Sequence, residues 1–152
     1  MNPMTRAERT RGEAPRSVPW PLGDERDVVA ADTTWGELQA LHPVPGVRTL
    51  GELEVLELLA QGAILIDSRV PGSFGGLTIP GARNIPHDQA LERRSELDPS
   101  EVNILFCNGP QCPQSPNALA ELVAAGFPPE HLAYYRGGMH DWVSLAMPTQ
   151  PA

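Results

Sequence analysis

Ile104-Leu105-Phe106-Cys107-Asn108-Gly109-Pro110-Gln111-Cys112-Pro113-Gln114-Ser115-Pro116 decides how this chain reads. A short apolar run ends on a cysteine, a Gly/Pro-rich loop follows, and then a helix begins. Ser115 is a good N-cap, and Pro116 suits the first helical position. Ala118, Leu119, Leu122 and Val123 form the apolar face of that helix, and Gly126 closes it. The order places a thiol at the C-terminal end of a buried strand, under backbone N–H groups and a helix N-terminus. Such a site holds a thiolate and binds anions.

The same alternation of elements extends to both sides. Upstream, Thr49-x-x-Glu52 has the spacing of a capping box with Thr49 as N-cap. Leu53, Leu56 and Leu59 then recur at helical spacing, and Gly62 stops the helix. Ala63-Ile64-Leu65-Ile66 is a continuous apolar run, read as a strand buried on both faces. It turns polar at Asp67-Ser68-Arg69. Residues 71–76 read as loop, 82–85 as a short extended piece, and Asp98-Pro99-Ser100 as a turn. Asn103 to Phe106 is the strand that carries the cysteine. Leu132 to Tyr135 is a third strand, followed by Gly137-Gly138 and a last helical turn with Trp142 and Leu145. Strands alternating with helices imply an α/β fold, a parallel sheet flanked by helices on both faces.

Residues 1–46 read as an N-terminal extension and 47–152 as the domain. Residues 1–27 are polar, charged and broken by Pro3, Pro15, Pro19 and Pro21, and are expected to be largely disordered apart from docking of Trp20. Thr34-Trp35-Gly36-Glu37 has capping-box spacing, and Leu38 and Leu41 give a short apolar stripe ended by Pro43 and Pro45. One short helix is expected there.

Composition narrows the function classes. The chain has 152 residues and is 41% hydrophobic, with a net charge of −8 and no lysine. That balance argues against nucleic acid or an anionic membrane as partner, since both call for basic patches. No apolar run approaches the roughly 18–20 residues of a membrane span. Arg6, Arg9, Arg11 and Arg16 are followed by no apolar stretch of the secretory type. A cytoplasmic location is the expectation. Two cysteines in such a chain read as thiols rather than as a disulfide framework.

Four pieces stand in a recognisable order. They are Ile64-Leu65-Ile66-Asp67-Ser68-Arg69, Thr78-Ile79-Pro80-Gly81-Ala82-Arg83-Asn84-Ile85-Pro86, Leu105-Phe106-Cys107 with its loop, and Tyr135-Arg136-Gly137-Gly138-x-x-x-Trp142. Together they resemble a single rhodanese-like domain over about residues 47–148. The resemblance implies a sulfurtransferase with Cys107 as nucleophile. A thiolate attacks the sulfane sulfur of thiosulfate or of a small-molecule or protein persulfide. The cysteine persulfide then passes its outer sulfur to cyanide or a thiol acceptor. The chemistry needs no cofactor and no metal.

One departure from that family pattern stands out. The usual loop is short and often carries arginine shortly before the helix. Here it runs from Cys107 to Gln114 with no arginine, and its polar groups are the amides of Asn108, Gln111 and Gln114. Amides offer hydrogen bonds without the charge of a guanidinium fork. Phosphatase or arsenate reductase chemistry needs arginine six residues after the cysteine. Pro113 and Ala118 occupy those positions after Cys107 and Cys112.

Backbone N–H groups of Asn108, Gly109, Pro110's neighbours Gln111 and Cys112, and Gln114 beyond Pro113, are expected to line the substrate site and to lower the Cys107 pKa. The bland alternative is a buried cysteine packed as a small hydrophobe. Cys112 keeps three roles open: bystander, resolving thiol, or the nucleophile itself. Asp67 and Arg69 read either as a charge near the pocket or as an ion pair or loop anchor supporting the site, the second preferred because buried charges need partners. Gly137-Gly138 reads as a place where backbone approaches the active loop. His42, His87, His131 and His140 are scattered, which argues against a zinc site. The rival to the enzyme is a non-catalytic rhodanese-like module that binds a protein or senses redox state through Cys107 and Cys112.

Overall fold

The computed structural model describes residues 20–21, 29–30, 38–73 and 75–152. The apolar runs become the inner strands of a parallel sheet. Its strands are β1 (Arg48–Leu50), β2 (Ile64–Asp67), β3 (Arg83–Asn84), β4 (Asn103–Phe106) and β5 (Leu132–Tyr135). They lie in the order β1-β5-β4-β2-β3, and every neighbouring pair is parallel. β4 is therefore central. Asp67, Phe106 and Tyr135 stand level in the register, so β2, β4 and β5 all end at one edge. Ser68, Cys107 and Arg136 are the residues that step off that edge.

The faces separate by the alternation of side chains along each strand. Ile66, Leu105, Leu132 and Tyr134 point to one side. There they meet Ala118, Leu119 and Leu122 of helix α2 (Gln114–Ala124). Leu65, Ile104, Phe106, Ala133 and Tyr135 point to the other. They pack against Val55 of α1 (Glu52–Ala60) and Met139 and Trp142 of α3 (Gly138–Ser144). Leu119 and Leu122 are wholly buried, each contributing roughly 1.5–3 kcal/mol of transfer free energy. The sheet is covered on both faces, as the fold class expected from sequence requires.

Local details differ from the sequence reading. Thr49 does not cap α1. It lies in β1, and its hydroxyl donates to the Leu41 carbonyl at 2.5 Å. The cap is Gly51, whose N–H donates to Glu54 Oε1 at 3.1 Å. Sheet pairing with β5 thus outweighs the capping signal at Thr49. The buried side of α1 carries Val55, while Leu53 and Leu56 face outward at 78% and 43% exposure. Ser115 is inside α2 rather than at its N-cap, because the helix starts at Gln114 behind Pro113.

The short helix expected around residues 34–42 is not formed in its described part. Residues 38–46 make bends and a turn, and the capping-box residues 34–37 lie outside the described residues. Trp20–Pro21 pairs antiparallel with Val29–Ala30, and Leu77–Thr78 pairs with Gln150–Pro151. The disorder expected for the rest of residues 1–27 falls outside the described residues. Among those described, no helix is long and apolar enough to cross a membrane.

Candidate active site

The loop from Cys107 to Pro113 leaves the central strand and enters α2. It closes on itself through the Cys112 N–H, which donates to the Gly109 carbonyl at 3.0 Å. The start of α3 holds its near side: the Met139 N–H donates to the Cys107 carbonyl at 2.9 Å, and the His140 N–H to the Asn108 carbonyl at 2.8 Å. Gly138 makes this approach feasible. Its φ is +57°, and a Cβ there would collide with the Cys107 carbonyl and lie 2.9 Å from the Gly109 nitrogen. Gly137 precedes it as the N-cap of α3.

A strap from before β1 crosses the far side of the loop. The Gln39 N–H donates to the Pro110 carbonyl at 2.6 Å, and the Gln39 side-chain amide donates to the Gln111 carbonyl at 3.5 Å. Arg136, just past β5, fixes the strap by donating from Nε and Nη2 to the Gln39 carbonyl at 3.2 and 2.7 Å.

Both thiols are free and buried, Cys107 at 1% and Cys112 at 2% exposure. The Cys107 thiol donates to the Cys112 carbonyl at 3.5 Å, and the Ser115 N–H donates to Cys107 Sγ at 3.5 Å. The two thiols also act on each other's acidity. Burial, then the hydrogen bond and charge of Cys112, push the Cys107 thiol well above its ordinary value. Cys112 is held at about 7 by the hydrogen bond from Cys107, by the N–H groups of Gln114 and Asn108, and by the charge of Arg69, against the opposing effect of burial. The lowered pKa expected at Cys107 is therefore found at Cys112. Burial outweighs the Ser115 N–H at Cys107, while hydrogen bonds outweigh burial at Cys112.

The β2 exit supplies the cation that the loop lacks. Arg69 is completely buried and grips Asp67 with two parallel bonds, Nε to Oδ1 at 2.9 Å and Nη2 to Oδ2 at 2.7 Å. Its Nη1 donates to Asn108 Oδ1 at 3.2 Å, which ties it to the cysteine loop. Thr78 Oγ1 donates to Asp67 Oδ2 at 2.8 Å, and the Asn84 amide donates to the carbonyls of Asp67 and Arg69, both at 2.9 Å. Gln114 Oε1 accepts the Val70 N–H at 3.3 Å and binds this exit to α2.

Residues 52–145 match the family model of the rhodanese-like domain. The chain belongs to that family.

Solved structures agree on the rhodanese-like fold. A rhodanese-related protein from Thermoplasma volcanium is 19% identical with a TM-score of 0.57, covering 68% of this chain and 97% of that one. The rhodanese-like domain of an Anabaena protein is 24% identical at a TM-score of 0.57, covering 68% and 79% of the two chains. A thiosulfate sulfurtransferase from Pseudomonas aeruginosa is 24% identical at 0.57, covering 72% of this chain but only 21% of its own. Comparison with curated proteins gives no match.

This rhodanese-like domain gathers most of the residues singled out from sequence. Cys107, Asn108, Cys112 and Gln114 converge with Arg69 and Gly138, and Asp67 acts through Arg69. Gly109 lies against α3, where an added Cβ would sit 3.0 Å from His140 Cβ. Pro110 and Gln111 present their carbonyls to the strap, and Pro113 caps α2.

Sequence reasoning did not single out Gln39, Arg136, the Ser115 N–H or Tyr134. The Tyr134 hydroxyl is buried, and its pKa is raised by burial and then by the charges of Cys107 and Cys112. Tyr134 looked like one more apolar position of β5. Only the pairing of β5 with β4 brings it near the thiols. Ser68 Oγ, Asn108 Nδ2, Ser115 Oγ, Tyr134 OH and His140 Nε2 are buried without hydrogen-bond partners among the described residues. They belong to elements that meet at the loop. No group of three metal-ligating side chains occurs among the described residues.

Proposed function

We propose that the domain is a sulfurtransferase in which Cys107 accepts a sulfane sulfur as a persulfide. The observation that carries this reading is the loop itself: two buried thiols, the Cys107 thiol donating to the Cys112 carbonyl, with the Ser115 N–H directed at the Cys107 sulfur. N–H donors fixed before reaction stabilise a sulfur anion without reorganisation. In the reactive form of this reading, Cys112 is the thiolate and Cys107 the thiol. When a donor enters, the Cys107 proton passes to Cys112, and the Cys107 thiolate attacks the outer sulfur. With thiosulfate, the donor S–S bond breaks, sulfite leaves with the electron pair, and a Cys107 persulfide anion remains. A thiol or cyanide then takes the outer sulfur and returns the Cys107 thiolate.

The polar groups near the loop support this donor class. Ser68, Asn108 and Ser115 offer unpartnered buried groups, which suit the oxygens of thiosulfate or the polar end of a thiol persulfide. The partners in this reading are a small-molecule or protein persulfide donor and a thiol acceptor in the cytoplasm. The test is sulfite release on adding thiosulfate to the reduced protein, with a glutathione persulfide donor run in parallel. Wild type should release sulfite and Cys107→Ser should not. Release by Cys107→Ser but not by Cys112→Ser would reverse the assignment of the nucleophile. Absence of sulfite and of sulfur uptake from either donor would leave a non-catalytic module.

A further inference from the structure

The loop holds one thiol more than simple sulfur transfer uses. Cys112 is not placed outward as a bystander would be. Its N–H bond to Gly109 folds the loop back, so that its carbonyl accepts from the Cys107 thiol at 3.5 Å and both thiols are buried within the same loop. Pro110 and Pro113 flank it and limit the loop's freedom. Both sulfurs are screened from water, and the Gln39 strap lies across the loop. An external acceptor must reach into that enclosure, whereas Cys112 is already there. Intramolecular attack between prepositioned groups has a large advantage in effective concentration.

We propose that Cys112 is a second catalytic thiol, which resolves the Cys107 persulfide to a Cys107–Cys112 disulfide and releases hydrosulfide. The inference rests on the sulfurtransferase reading above. The Cys112 sulfur attacks the inner, Cys107 sulfur. A new Cys112–Cys107 bond forms, the bond from Cys107 to the outer sulfur breaks, and that sulfur leaves with the electron pair. The Cys112 proton goes with it as HS⁻. The sulfane sulfur is reduced to sulfide, and the two thiols are oxidised to the disulfide. An external dithiol restores the pair by ordinary thiol–disulfide exchange. The N–H groups that face Cys112, together with Arg69, stabilise its anion on the way to attack.

The test adds thiosulfate to the reduced full-length protein with no acceptor. Sulfite, sulfide and intact mass are followed together, and peptide mapping locates any disulfide. Wild type should release sulfite first, then up to one sulfide per chain, and end two hydrogens lighter with a Cys107–Cys112 disulfide. Cys112→Ser and Cys112→Ala should load more slowly, hold the added sulfur, and release no sulfide. Sulfite without sulfide in wild type, with the added sulfur held as long as in the Cys112 variants, would overturn the resolving role and leave the sulfurtransferase reading standing. Neither sulfite nor sulfide from wild type would overturn both.

Discussion

Two strand exits stand side by side at one edge of the sheet and are held in opposite ways. The β2 exit buries a complete pair of charges, Asp67 and Arg69, and satisfies them with Thr78, Asn108 and the Leu77 carbonyl. The β4 exit, from Cys107 to Pro113, contains no acidic or basic side chain apart from its two thiols. It is held by backbone bonds from Met139, His140 and Gln39. The contrast teaches where a cation can come from. A sulfur anion needs positive potential nearby, and at Cys112 the Arg69 guanidinium of the neighbouring strand exit adds to the hydrogen bonds that the loop itself supplies. Of the loop amides, Asn108 is hydrogen-bonded to Arg69 and ties the two exits together.

The sharpest way to break this contrast is Arg69→Ala. It leaves the Asp67 carboxylate buried without its partner, which should cost about 3–5 kcal/mol in chemical denaturation. The double variant Arg69→Met with Asp67→Leu should lose much less, since it removes both charges. Equal losses in the single and double variants would show that the exit is held by packing and not by charge.

A smaller effect is expected on the other side of the comparison. Gly138→Ala forces a side chain into the Cys107 carbonyl at positive φ and should cost more than about 1 kcal/mol. Thermal melts measure it. The loss should come with faster thiol alkylation, because the Met139 and His140 bonds to the loop are disturbed. A melt and an alkylation rate unchanged from wild type would mean that α3 does not hold the loop.

The finest adjustment is to the proton shared by the thiols. Cys112 is held at about 7 chiefly by the Cys107 thiol, against an ordinary thiol value of about 8.5. Removing that donor in Cys107→Ala destabilises the Cys112 thiolate and must raise its pKa. Iodoacetamide labelling of Cys112 should therefore rise through a midpoint near 7 in wild type and at a higher pH in the variant. A midpoint that stays put would assign the effect to the N–H donors and Arg69 alone.

How far these features can be read in the sequence depends on their range. β2, β4 and β5 are legible because strands buried on both faces leave unbroken apolar runs. The apolar face of α2 is legible because Ala118, Leu119 and Leu122 keep helical spacing. β1 escapes notice: Arg48-Thr49-Leu50 is short, lies at the sheet edge, and competes with a capping pattern. In the site, Cys107 announces itself by following an apolar run, and Gly137-Gly138 by doubling glycine after one. The Arg69 link to Asn108 spans 39 residues, the Gln39 link to Gln111 spans 72, and the Arg136 link to Gln39 spans 97. No local pattern records such meetings. The acidity of Cys112 is illegible for the same reason, since part of its cause lies on another strand.

The strap also separates the family's boundaries from those of the working molecule. The matched region begins at residue 52 and ends at 145. A fragment trimmed to those limits would lose Gln39, which clasps the loop, and β1, which covers the outer side of β5. It would also lose Gln150–Pro151, which pairs with Leu77–Thr78. β5 would then present a bare row of N–H and C=O groups, an invitation to pair with another copy. Such a fragment is expected to self-associate and to leave its thiols open to any oxidant, so its behaviour would report on the cutting rather than on the protein.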